Sequence, residues 1–164
     1  WLNAGDADAI DYLKTFTLLD KDQIEALSEE MQTNAASRPA QKRLAYEVTK
    51  IVHGEERAKS VERISEALFG ASGYSALDDG DFKQLESELA HVAVGEHDSL
   101  LDFMVEAKLA SSKSEARRFL EAGAISINGS QLPIDQMQFT EHDFIGSYAV
   151  VKRGKNTVAL AVKK

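Results

Sequence analysis

Ser111-Ser-Lys-Ser-Glu-Ala-Arg-Arg-Phe-Leu-Glu-Ala-Gly-Ala-Ile-Ser-Ile-Asn-Gly129 is the stretch whose reading decides the fold, a short basic helix running into a hairpin. Ser112 is placed to cap the helix by accepting a bond from an orphan amide, and Glu115, three residues on, to reach back to the Ser112 amide as a capping box. Ala116, Phe119 and Leu120 fall at i, i+3 and i+4 and form one apolar stripe, with Lys113, Arg117 and Arg118 largely off it. Gly123 ends the helix, since glycine takes the left-handed conformation without a Cβ clash. Ile125 and Ile127 then alternate with small residues, and Asn128-Gly129 signals a tight hairpin turn. A cationic helix is thereby set against a small sheet.

Upstream the pattern is helical. Apolar spacing predicts helices over Asp6 to Leu19, from Asp20 with a capping-box spacing to Gln23, from Ser37-Arg38-Pro39 to His53-Gly54, over Arg57 to Phe69, and over Asp81 to Leu89. Gly70 to Gly73 is a break. Leu100 to Ala107 reads as another short helix. Ser147 to Val162 alternates as two strands around Arg153-Gly154-Lys155-Asn156, with Val158, Leu160 and Val162 on one face. The fold class expected is α+β, a helical bundle followed by a small α+β unit. Its divisions are 1–89, a linker over 90–98 whose Gly95 allows relative motion, and 99–164.

The 164 residues carry a net charge of −8, which argues against a nucleic-acid binder until the distribution is read. Residues 1–97 hold 10 Lys and Arg against 19 Asp and Glu, whereas residues 98–164 hold 9 against 8. Within that second part Lys113, Arg117 and Arg118 form one basic cluster and Lys152, Arg153 and Lys155 another. Phosphate neutralisation needs such clusters, although solvated helix faces and hairpin tips also carry them. In the acidic part Arg38, Lys42, Arg43 and Lys50 are locally basic, and Lys42, Tyr46 and Lys50 share one helix face. That face suits RNA bases and phosphates, and solvation explains it equally. Asp6 and Asp8 are explained by capping, as Asn128 is by its turn.

Cysteine is absent, which excludes disulfides and thiolate metal sites. No apolar run reaches the roughly 20 residues that span a bilayer. Asp78-Asp79-Gly80-Asp81 lacks the alternating ligands of a calcium loop and reads as a helix cap, and the dispersed histidines predict no metal site. Catalytic residues are not expected. The opening Trp1-Leu2-Asn3, without an initiator Met, reads as part of something longer.

Ser112-Lys113-Ser114-Glu115-Ala116-Arg117, Gly123 and Asn128-Gly129 resemble the RNA-binding fold named after the small-subunit ribosomal protein S-four. Trp1-Leu-Asn-x-x-Asp6-x-Asp8, Tyr12-Leu-Lys-x-Phe-Thr17, Leu44-Ala-Tyr-Glu-Val-Thr49 and Val52-His-Gly-Glu-Glu56 resemble the segment that follows the nucleotide-binding domain in bacterial-type tyrosyl-tRNA synthetases. The resemblance covers nearly the whole chain. It implies the tRNA-binding C-terminal half of such an enzyme, cytoplasmic or in a mitochondrial matrix. Adenylate chemistry, with ATP and tyrosine, would belong to a separate N-terminal domain, and no cofactor is implied here. The implied partner is tRNA-Tyr; the parent would dimerise through that N-terminal domain and this portion would be a monomer. RNA contact falls to Lys113, Arg117, Arg118, Asn128, Lys152, Arg153 and Lys155, and the anticodon region to Asp6, Arg38, Lys42, Arg43, Tyr46 and Lys50. The resemblance also implies that Asp6 helps to read the wobble guanosine. A stand-alone RNA-binding protein and an acidic helical interaction module are the competing readings.

Overall fold

The computed structural model describes residues 1–70 and 73–164, so the expected break over 70–73 lies partly outside the described residues. In chain order the elements are α1 Asp6–Phe16, α2 Lys21–Asn34, α3 Pro39–His53, α4 Glu55–Phe69, α5 Asp79–Glu88, β1 Ala90–Val94, α6 Leu100–Glu106, α7 Lys113–Glu121, β2 Ile125–Ile127, β3 Ser130–Gln131, β4 Tyr148–Arg153 and β5 Thr157–Lys163. The fold class is α+β, as the sequence implies. The chain divides into two units, Trp1–Glu62 and Arg63–Lys164, and the division falls inside α4.

The first unit buries Ala9 and Leu13 of α1, Ile24 of α2, and Ala40 and Leu44 of α3 in one cluster. Local chemistry sets its helix starts. Asp20 caps α2 in a complete capping box with Gln23, and Pro39 opens α3, where its missing amide costs nothing. Gly54 closes α3 at φ +88.

The second unit is a five-stranded sheet of order β1-β5-β4-β2-β3, with helices on both faces. Strand alternation sorts its side chains. Ala149, Val151, Ala159 and Ala161 face α6 and α7, whose Leu100, Met104, Ala116 and Leu120 fill that core. Tyr148, Val150 and Leu160 face the other way, onto Ile64 and Ala67 of α4 and Phe82 and Leu85 of α5. Phe82 and Tyr148 stack with ring centroids 4.9 Å apart. Val150 and Leu160 are fully buried, and each such side chain contributes roughly 1.5–3 kcal/mol.

The expected linker over 90–98 is corrected. Ala90–Val94 is strand β1, paired in parallel with β5 from Ala90↔Ala159 to Val94↔Lys163. The polar turn at Gly95 is held in place, because Asp98 Oδ2 accepts from the Gly95 amide at 2.8 Å and from Lys164 Nζ at 2.9 Å. Ile64, Ala67, Tyr74, Leu77, Phe82 and Leu85, all expected in the first division, likewise belong to the core of the sheet. A parallel partner lies far away in sequence and leaves no hairpin signal, so only tertiary packing reveals it.

Asp78 and Asp81 form the capping box of α5. Asp81, completely buried, also receives both prongs of the Arg63 guanidinium at 2.8 Å. That ion pair and the cap account for Asp78 and Asp81. Among the described residues no three His, Asp or Glu side chains are grouped to hold a metal, and no helix is long and apolar enough to cross a membrane.

Candidate nucleic-acid interface

Helix α7 is fixed at both ends. Ser112 Oγ accepts from the Glu115 amide at 3.2 Å. The return bond differs from the expected box: Glu115 Oε2 accepts from the amide and hydroxyl of Ser111, both at 2.6 Å, one residue earlier. These bonds lower the Glu115 pKa, the Ser111 hydroxyl having the largest effect. At the other end Gly123 sits at φ +64. Its amide donates to Leu120 O and the Ala124 amide to Phe119 O, both at 2.9 Å, a Schellman closure. The hairpin follows, with Asn128 and Gly129 both at positive φ, as a type I′ turn requires.

Ala116 and Leu120 anchor α7 in the core, and Lys113, Arg117 and Arg118 all lie exposed. Their partners differ. Lys113 Nζ lies 2.5 Å from Asp102 Oδ1 of α6, with more than half of each side chain in solvent. The Lys113 hydrogen bond is the largest of the causes that lower the Asp102 pKa. Arg117 and Arg118 make no hydrogen bond or salt bridge among the described residues. They are two open guanidiniums on a rigid support.

The second basic cluster, expected as one group of three cations, is split by the sheet. Consecutive residues of a strand face opposite ways. Lys152 Nζ donates to Leu68 O in the last turn of α4 at 2.5 Å and lies 5.4 Å from the Phe69 ring centroid. Arg153 donates to Leu109 O at 2.6 Å and stacks over Phe119 of α7 at 4.9 Å. Both are half-buried strand residues. Lys155 alone stands exposed in the turn, with no bonded partner among the described residues. Asn128 is committed to structure, since its side chain donates to Asp143 O at 2.8 Å and accepts from the Val150 amide at 2.9 Å.

In the first unit, α3 carries Lys42, Arg43, Tyr46 and Lys50. Arg43 pairs with the nearly buried Glu47 at 2.7 Å and lies 5.8 Å from the Tyr46 ring centroid. Lys50 is 3.7 Å from Glu55, whose pKa is lowered first by a hydrogen bond from Lys59 and then by the Lys50 charge. Tyr46 and Lys50 are half-buried, whereas Lys42 is exposed. Arg38, at φ +55 before Pro39, donates to Ala4 O at 3.0 Å. Asp6 begins α1, yet Gly5 is the N-cap and no side chain caps the helix. Instead Asp6 Oδ1 accepts from Gln41 Nε2 at 2.6 Å, and the same nitrogen lies 3.4 Å from Ala4 O. The sequence reading passed over Gln41. Its signal was there: a polar residue at the head of the α3 apolar stripe formed with Leu44 and Val48.

Two family models match this chain, the tyrosine–tRNA ligase SYY-like C-terminal domain over residues 81–161 and the class I tRNA synthetases for W and Y over residues 1–70. The chain belongs to the tyrosine–tRNA ligase family. A tyrosine–tRNA ligase of Lactobacillus delbrueckii subsp. bulgaricus is 39% identical over 170 residues, an alignment taking in 98% of this chain and 38% of that ligase. A Geobacillus kaustophilus tyrosine–tRNA ligase is 42% identical over 159 residues, or 94% of this chain and 37% of that ligase. The chain thus spans under two fifths of these relatives. A solved C-terminally truncated mitochondrial tyrosyl-tRNA synthetase of Aspergillus nidulans aligns with 42% of this chain and 19% of its own, at 34% identity and a TM-score of 0.41. The junction of the two ligase-family models leaves out residues 71–80, just beyond α4.

Proposed function

We propose that this chain is the tRNA-binding portion of a tyrosine–tRNA ligase. Residues outside it would bind ATP and tyrosine and carry out aminoacylation, while this portion holds no cofactor and has no catalytic role of its own. Its partner is tRNA-Tyr. The parent enzyme dimerises through its other domain, and the present chain is a monomer. The α7 face, with Arg117, Arg118 and Lys113, contacts the backbone of the long variable arm, recognising shape more than sequence. Lys155 extends that contact. Asp6, Arg38 and the exposed face of α3 address the anticodon region, Asp6 accepting from the wobble guanosine.

The observation that carries this reading is the pair Arg117 and Arg118, exposed and unpaired on a helix locked at both ends, in a family whose name contains tRNA. Guanidiniums held this way meet phosphates without first losing a partner. The test is binding to tRNA-Tyr, to a tRNA with a short variable arm and to an isolated anticodon stem-loop across a salt series. Preference for tRNA-Tyr, with log K falling steeply against log salt, is expected. Equal binding of all three leaves only general RNA binding, and no binding at low salt overturns the proposal.

A further inference from the structure

Gln41 is the one fully buried polar side chain of the first unit that bonds to an exposed carboxylate. Its nitrogen donates to Asp6 Oδ1 at 2.6 Å, a short charge-assisted bond, and its Oε1 is buried with no hydrogen-bond partner among the described residues. An apolar side chain of the same size would serve the core better, because it would bury no orphan acceptor. The amide is therefore not explained by packing. Nor does Asp6 cap its own helix: the N-cap is Gly5 with no side-chain bond, and a charge in the first turn would suit the dipole in any orientation of the carboxylate. Its second oxygen, Oδ2, makes no hydrogen bond among the described residues. Oδ1 also keeps a free lone pair, so the carboxylate can still accept from two donors on one edge of a base.

We propose that Gln41 is a positioning residue: it holds the Asp6 carboxylate in the one orientation that receives the N1 and N2 donors of guanosine. Arg38, which donates to Ala4 O beside the same bond, completes a brace between the starts of α1 and α3. The inference rests on the anticodon reading given above and adds to it the residue that sets its geometry.

The test uses this chain with the tRNA-Tyr anticodon stem-loop and with the same loop carrying cytidine in place of the wobble guanosine. Wild type is expected to prefer guanosine by at least about fivefold. Gln41→Met keeps the volume and removes the donor, and should bring the ratio to within about twofold without lowering the melting temperature. A merely structural role would weaken both loops alike and leave their ratio untouched. If Asp6→Asn loses the preference and Gln41→Met keeps it, the positioning role is overturned while the guanosine reading stands. If wild type has no preference, or Asp6→Asn retains it, the guanosine reading falls and this inference with it. Should Gln41→Met fail to fold, the unmutated protein still decides the matter. In the unmutated protein, the Gln41 side-chain amide NMR signals should shift with the guanosine loop and not with the cytidine loop; no shift overturns the proposal.

Discussion

Lys152 and Arg153 are neighbours in sequence and serve opposite faces of the sheet. Lys152 places a cation on the last carbonyls of α4, where the helix dipole favours it, and Arg153 ties the turn at Leu109 to the ring of Phe119. Their substitution should therefore act on stability. Lys152→Gln is expected to lower the melting temperature and leave the salt slope of tRNA binding unchanged. The double change Arg117→Glu and Arg118→Glu should leave the melt nearly intact and flatten that slope by about one unit for each phosphate no longer neutralised. Filter binding at several salt concentrations, beside a thermal melt, separates the two outcomes. Arg63 is a starker case. Arg63→Met would take the guanidinium away from the buried Asp81 carboxylate and should cost about 3–5 kcal/mol, measured by urea denaturation.

Helix α7 and its hairpin were legible because each of their signals is local. A cap serine, an apolar stripe, a left-handed glycine and an Asn-Gly turn all act within a few residues. Gly123→Ala places a Cβ at φ +64 and should cost about 1–2 kcal/mol, and Ser112→Ala about 1 kcal/mol, both from urea melts at constant m-value. What stayed hidden depends on distance. β1 is five residues with a partner beyond Asn156, and the change of charge near residue 97 drew the boundary to the wrong place. Candidate site residues fared in the same way. Exposure of Arg117 and Arg118 followed from the helix stripe, whereas the roles of Lys152, Arg153 and Gln41 depend on atoms supplied by remote segments. Gln41 could have been flagged, since a polar side chain on an apolar stripe needs a partner.

At the scale of the whole molecule, the sheet needs helices from before β1. A shortened chain beginning at Glu55 should therefore melt cooperatively, while one beginning at Ser99 would expose the Tyr148, Val150 and Leu160 face and bind a hydrophobic dye. Stability should also fall in acid. Asp98, Asp102, Glu115 and Glu141 all have pKa values lowered in the fold, by the Gly95 amide, Lys113, Ser111 and Lys163 respectively as first cause. Groups of this sign stabilise the fold above their ordinary values of 3.8 and 4.5, and the benefit is lost as pH falls through the lowered ones. Burial raises the Tyr74 and Tyr148 pKa values above 10.0, so stability should decline again beyond that pH. Melts from pH 2 to pH 11, taken in steps of about one unit, would trace both arms. The parallel pairing of β1 with β5 also has a meaning in time. On a ribosome adding about 5–20 residues per second, β1 emerges several seconds before the strand that will lie beside it. Until then α4 and α5 meet only Tyr148 and Val150 of β4, Leu160 is missing from that core and β1 has no strand to join it to β4, so a nascent chain stalled before Thr157 should behave as a chaperone client, which crosslinking of stalled chains would test.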